Sequence, residues 1–90
     1  MSAAQFDEVI AEAVERLSAD DLHSVYVGLI ARGGDQEYYF ANDTGSAEEL
    51  RGAAIDQLAM LTRVLATQSE MSVDELTSLA AERAEELRLS

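Results

Sequence analysis

Lysine, cysteine and proline are all absent from these 90 residues, and histidine occurs once. Without cysteine the chain has no disulfide, no thiolate metal site, no cysteine nucleophile and no thiol redox switch. Without lysine, all six cationic side chains are arginine, set against eighteen Asp and Glu for a formal net charge of -12. Charge of one sign at this density strains a compact chain by self-repulsion unless dissolved ions screen it. The screening length falls from about 10 Å at 0.1 M salt to about 3 Å at 1 M, so molar salt silences most of that repulsion. The missing lysine fits the same setting, because its long apolar stem adds adhesive surface where carboxylates do not. The composition points to a protein of halophilic type.

Long hydrophobic runs are missing as well. No segment approaches the roughly 18 apolar residues of a membrane span, and the first residues lack the basic and apolar regions of a secretion signal. A cytoplasmic protein with no membrane partner is expected. Six scattered arginines do not assemble the cationic stripe that phosphate backbones require, so no nucleic-acid partner is expected either. What is present is ordinary for a globular protein: 48% of residues are hydrophobic and 27% charged, so the acidity is not that of a disordered tail. This length suits one core, and the lack of proline and of long linkers argues for a single domain over 1–90.

Phe6, Val9, Ile10, Ala13, Val14 and Leu17 recur at helical spacing and predict a helix over Ser2 to Leu17. Ser2 and Gln5 have the spacing of a capping box, and Asp7 and Glu8 are expected to complement the positive end of its dipole. From His23 to Asn42 the period changes to two, interrupted by Gly33-Gly34, which predicts a β-hairpin. A two-residue loop at Gly33-Gly34 would oppose Val27 to Phe40 and Leu29 to Tyr38. One face would then carry Val25, Val27, Leu29, Tyr38 and Phe40, and the other Tyr26, Ile30 and Tyr39. A three-residue loop would shift the register by one and exchange these partners. Ser46 and Glu49 begin a long helix ending near Gln68, striped by Leu50, Ala54, Leu58, Leu61 and Leu65 and widened by Ile55 and Val64. Leu61 is expected in the core. Ser72 and Glu75 begin a last helix running to about Arg88, with Val73, Leu76, Leu79, Ala80, Ala84 and Leu87 on its apolar side.

Chemistry-bearing patterns are few. His23 has no carboxylate or second histidine at a fixed spacing and reads as a surface residue. Asn42, Asp43, Thr44, Ser46, Glu48 and Glu49 form the densest oxygen cluster, but counting back from Gly45 puts Phe40 where a calcium loop needs its first ligand. Arg32-Gly33-Gly34-Asp35 is a hairpin tip. Gly28 inside a strand marks close approach by another group, and Tyr39 is expected to cover it. Met71 to Leu87 has the spacing of the first helix of a helix-turn-helix, with no recognition helix after it. No catalytic, cofactor-binding or metal residue is assigned, and no cofactor is expected.

Val25 to Ile30, Glu37 to Asn42 and the helix Ala47 to Ala66 together resemble the short, acidic, uncharacterised proteins of haloarchaea. The resemblance covers the layout of most of the chain and implies no activity and no site residue. The expected architecture is α+β, a two-stranded antiparallel β-hairpin packed with three helices in the order α-β-β-α-α. A lone hairpin has a second face and open edges that need cover, and an identical chain supplies it most simply, as a homodimer. The expected function is a non-enzymatic, self-associating interaction module, with docking on a larger protein as a further possibility. Tyr26, Ile30, Tyr39 and Met60 are its expected contact residues. Two rival classes remain open: a small-ligand binder or enzyme, in which Tyr38 or Tyr39, His23 and a carboxylate converge, and an acidic mimic of nucleic acid.

Overall fold

A computed structural model describes residues 1–87 in the order α1 (Ala3–Leu17), β1 (Ser24–Ile30), β2 (Gln36–Asn42), α2 (Ala47–Gln68) and α3 (Val73–Glu86). The fold class is the expected one, an antiparallel two-stranded hairpin and three helices in the order α-β-β-α-α. The chain divides into two compact units, Met1–Thr44 with α1 and the hairpin, and Gly45–Ser90 with α2 and α3.

In the first unit, α1 starts where its side chains dictate. Ser2 Oγ accepts from the Gln5 backbone N–H at 3.2 Å, and Gln5 Oε1 accepts from the Ser2 N–H at 2.9 Å, which satisfies two donors that the helix leaves open. Asp7 and Glu8 lie beyond the first turn, which holds no acidic residue, so the expected dipole complement is not made. After α1 ends, Arg16 donates to Asp21, with Nη1 2.7 Å from Oδ1 and Nη2 3.5 Å from Oδ2. The hydrogen bond from Arg16, and then its charge, hold the Asp21 carboxyl below the ordinary aspartate value. Both groups are solvent-exposed, so the pair fixes the chain's exit from the helix more than it stabilises the unit.

The hairpin corrects the expected register. Tyr26 opposes Phe40, Val27 opposes Tyr39 and Gly28 opposes Tyr38, one residue away from the pairing of a two-residue loop. The loop has three residues, Arg32, Gly33 and Gly34, between the paired Ala31 and Asp35. The Gly34 N–H donates to the Ala31 carbonyl at 2.8 Å, and the Ala31 N–H donates to the Asp35 carbonyl at 2.9 Å. Gly34 sits at φ 95°, the left-handed conformation that closes a type I turn of this length and that only glycine adopts freely. The faces exchange accordingly, and the Tyr39 expected over Gly28 lies on the opposite face.

In the second unit, Ser46 Oγ accepts from the Glu49 N–H at 3.2 Å, but the Glu49 carboxylate reaches past Ser46 to the Gly45 N–H at 2.8 Å. The expected reciprocal box is therefore one-sided at α2, whereas at α3 it is complete between Ser72 and Glu75. Between the helices the chain reverses in four residues. The Met71 N–H donates to the Ala66 carbonyl at 3.0 Å and the Glu70 N–H to the Thr67 carbonyl at 3.4 Å, the two bonds of a Schellman ending. Glu70 occupies its left-handed position at φ 57°, where glycine is usual. The last helix is described to Glu86 with Leu87 as its cap, and the expected end at Arg88 lies outside the described residues.

Burial departs furthest from expectation. Among the described residues only Ala66 is buried, at 3% exposure. Small side chains mark the side of α2 toward α3: Thr62 is half-buried with Ala66, as are Met71, Val73 and Leu76 at the corner and the start of α3. The leucine stripe is not a core. Leu58, Leu61 and Leu65 are exposed, Leu61 at 47%, and so are Phe6, Val9, Ile10, Val14 and Leu17 on α1. The chain of 9.8 kDa exposes 7905 Å². Two separate compact bodies of half that mass would together expose about 6,200 Å². Burial is thus short inside the units themselves.

A non-glycine residue held left-handed costs about 1–2 kcal/mol. Replacing Glu70 with glycine should raise the melting temperature by a few degrees, and Glu70→Asn by less. Thermal unfolding followed by circular dichroism checks this, and a lower melting temperature for Glu70→Gly would contradict the assigned cap.

Candidate functional site

The observed register sorts the hairpin into two unlike faces, because opposed residues of an antiparallel pair project to the same side. One face carries Ser24, Tyr26, Gly28 and Ile30 from β1 with Gln36, Tyr38, Phe40 and Asn42 from β2. None of these eight side chains is charged. The other face carries Val25, Val27 and Leu29 with Glu37, Tyr39 and Ala41. Here Val25 and Val27 are half-buried, and the Tyr39 hydroxyl donates to Glu37 Oε2 at 3.4 Å.

On the uncharged face Tyr26 and Tyr38 stack diagonally, their ring centroids 6.4 Å apart and their planes 18° from parallel. Gly28 makes this possible. A Cβ at Gly28 would stand 3.1 Å from the Tyr26 hydroxyl oxygen and 3.2 Å from its Cε1, so the Tyr26 ring lies over the bare backbone of the glycine. The cover expected from Tyr39 comes instead from two residues away on the same strand. All four large apolar side chains of this face remain open to solvent: Tyr26 at 51%, Ile30 at 77%, Tyr38 at 40% and Phe40 at 47%.

Of the four expected contact residues, the structure brings Tyr26 and Ile30 together on the uncharged face and puts Tyr39 on the other. Met60 lies on α2 in the second unit. All four are exposed. Sequence reasoning missed Tyr38 and Phe40 as members of the Tyr26 face. The signal for them was the second glycine of the loop, which permits the three-residue turn.

His23 has a carboxylate partner after all. Its Nδ1 lies 2.6 Å from Asp43 Oδ1, and the Asp43 N–H donates to the His23 carbonyl at 3.0 Å, extending the hairpin pairing by one step. Both side chains are exposed, at 59% and 72%. Tyr39 pairs with Val27, four residues along β1, or about 13 Å away at strand rise. Tyr38 points to the opposite face. The constellation of tyrosine, histidine and carboxylate therefore does not converge.

Several oxygens of the Asn42 to Glu49 cluster are engaged locally. Asn42 Oδ1 accepts from the Thr44 N–H at 3.2 Å and from its hydroxyl at 2.5 Å, and Glu49 caps Gly45. Among the described residues no three His, Cys, Asp or Glu gather as a metal site. In the second unit an open groove of about 370 Å³ runs between α2 and the start of α3, lined by Ile55, Leu58, Ala59, Thr62, Arg63 and Val73. It offers one hydroxyl and one guanidinium amid apolar walls, a surface for contact with no general base in it. No described helix is long and apolar enough to cross a membrane.

Gly28→Ala should displace the Tyr26 ring and break its stacking on Tyr38 while leaving the strands paired. Loss of ring-to-ring nuclear Overhauser contacts with retained cross-strand backbone contacts is the expected result. Persistence of the ring contacts would contradict the role assigned to the glycine.

No curated protein and no solved structure matches the chain. One family model matches it from residue 1 to 90. The chain, an acidic α+β protein with an uncharged aromatic hairpin face, belongs to the family of the domain of unknown function DUF8113.

Proposed function

We propose that this protein is a non-enzymatic, self-associating interaction module of halophilic type, acting in a salt-rich cytoplasm. One observation carries the reading: among the described residues a single side chain is buried, and aromatic and aliphatic rows on α1, the hairpin and α2 are left uncovered by their own units. Each square ångström of apolar surface removed from water stabilises by about 25 cal/mol, so surfaces left open on this scale favour association. A homodimer supplies the missing cover without a second gene product, and a larger protein is the further partner these faces suit.

The charge supports the salt-rich setting. Among the described residues Arg16 and Asp21 form the one arginine–carboxylate ion pair, so the other carboxylates depend on solvent ions rather than on arginine for screening. Dilute buffer should therefore weaken both the fold and the association.

Light scattering in molar KCl should give twice the chain mass, and circular dichroism should show a higher melting temperature there than in dilute buffer. A monomer at every concentration would remove the self-association. Equal melting temperatures in both buffers would remove the halophilic part.

A further inference from the structure

We infer that the uncharged face of the hairpin, built on Tyr26, Ile30, Tyr38 and Phe40, is where two copies of this chain meet, each laying that face on the other. The inference rests on the self-association proposed above and assigns it a place. Two copies that each carry a net charge of -12 repel wherever carboxylates face carboxylates. The least costly meeting surface is the one without them.

The hairpin provides such a surface. At the chain's average of 27% charged residues, eight strand positions would hold about two charges, and this face holds none. The other candidate faces differ, because each brings like charges together in a two-fold contact. The opposite side of the hairpin carries Glu37. On α1 the apolar row is interleaved with Asp7, Glu8, Glu12 and Glu15, and the apolar groove on α2 is free of carboxylates but carries Arg63. A face that is its own complement, apolar and uncharged, fits an isologous two-fold contact.

Area and geometry agree with this occupant. Aromatic side chains bury about 150–250 Å² when fully covered, so four large side chains at about half exposure offer roughly 400 Å² per copy. Two copies then remove on the order of 800 Å² from water, below the size of a stable specific interface and within that of weak, transient contacts. The dimer is accordingly expected to be weak, with micromolar dissociation, and to tighten as salt screens the acidic surfaces around the contact. Gly28 contributes by letting the Tyr26 ring lie flat beside Tyr38, which leaves an even surface for an opposing sheet about 10 Å away.

The absence of cysteine makes the test clean, because a single introduced thiol links only to a second molecule. Ile30→Cys treated with a short bismaleimide in molar KCl should give a covalent dimer, and Tyr39→Cys on the other face should not. Tyr26→Asp should shift the light-scattering mass from dimer toward monomer with unchanged far-ultraviolet circular dichroism. Linking through position 39 but not 30, or a Tyr26→Asp protein as dimeric as the unmodified one, would overturn this interface and leave self-association through another surface standing. A monomeric unmodified protein would remove both. If Tyr26→Asp fails to fold, the two cysteine variants decide alone.

Discussion

Water is excluded from too little of either compact unit among the described residues. Folding must offset a conformational entropy cost of about 1–2 kcal/mol for each residue fixed, and the main offset is apolar burial. Here the helices and the hairpin are well specified locally, by serine caps, by a left-handed glycine and by a four-residue helix reversal, yet one alanine is the only buried side chain among those described. Local hydrogen bonds define the elements without supplying a core. The rest of the structure has to be understood from that shortage: apolar rows on α1, on the hairpin and on α2 are left uncovered by their own units.

The second constraint is charge, and it selects among those rows. Apolar association is non-directional, so by itself it would favour any face as well as another. Eighteen acidic side chains remove most of that freedom, since a second copy brings the same eighteen. Carboxylates interleave the α1 row, Arg63 lines the α2 groove and Glu37 sits on the other hairpin face, whereas the Tyr26 face has no charge. In the proposed dimer acidity acts twice, keeping the bulk of the surface hydrated and confining contact to one patch.

Much of this was legible in the residues and some was not, for physical reasons. Helix starts were readable because Ser2 with Gln5 and Ser72 with Glu75 satisfy backbone donors within one turn, a local contest the spacing records. The hairpin was readable as a change of period, but its register turned on whether the loop took two residues or three. That depended on Gly34 adopting φ 95°, a choice open to either glycine of the pair. One residue of slip then reassigned every side chain, parting Tyr39 from Tyr26 and bringing Tyr38 and Phe40 to it. The pairing of His23 with Asp43 followed from the same register and was hidden with it. The leucine stripe of α2 shows the other limit: periodicity tells which side is apolar, not whether anything covers it. The helix turns Ala66 and Thr62 toward the corner with α3 and leaves Leu61 in water.

If intermolecular burial adds to the stability of the folded chain, that stability must depend on how much protein is present. Urea unfolding in molar KCl, repeated over a hundredfold range of chain concentration, tests this most directly. The midpoint should rise with concentration by on the order of 1 M urea, since a hundredfold change is worth about 2.7 kcal/mol against a slope of about 1–3 kcal/mol per molar. A midpoint that stays fixed across the whole range would show that association adds nothing to the stability of the chain and would contradict that expectation.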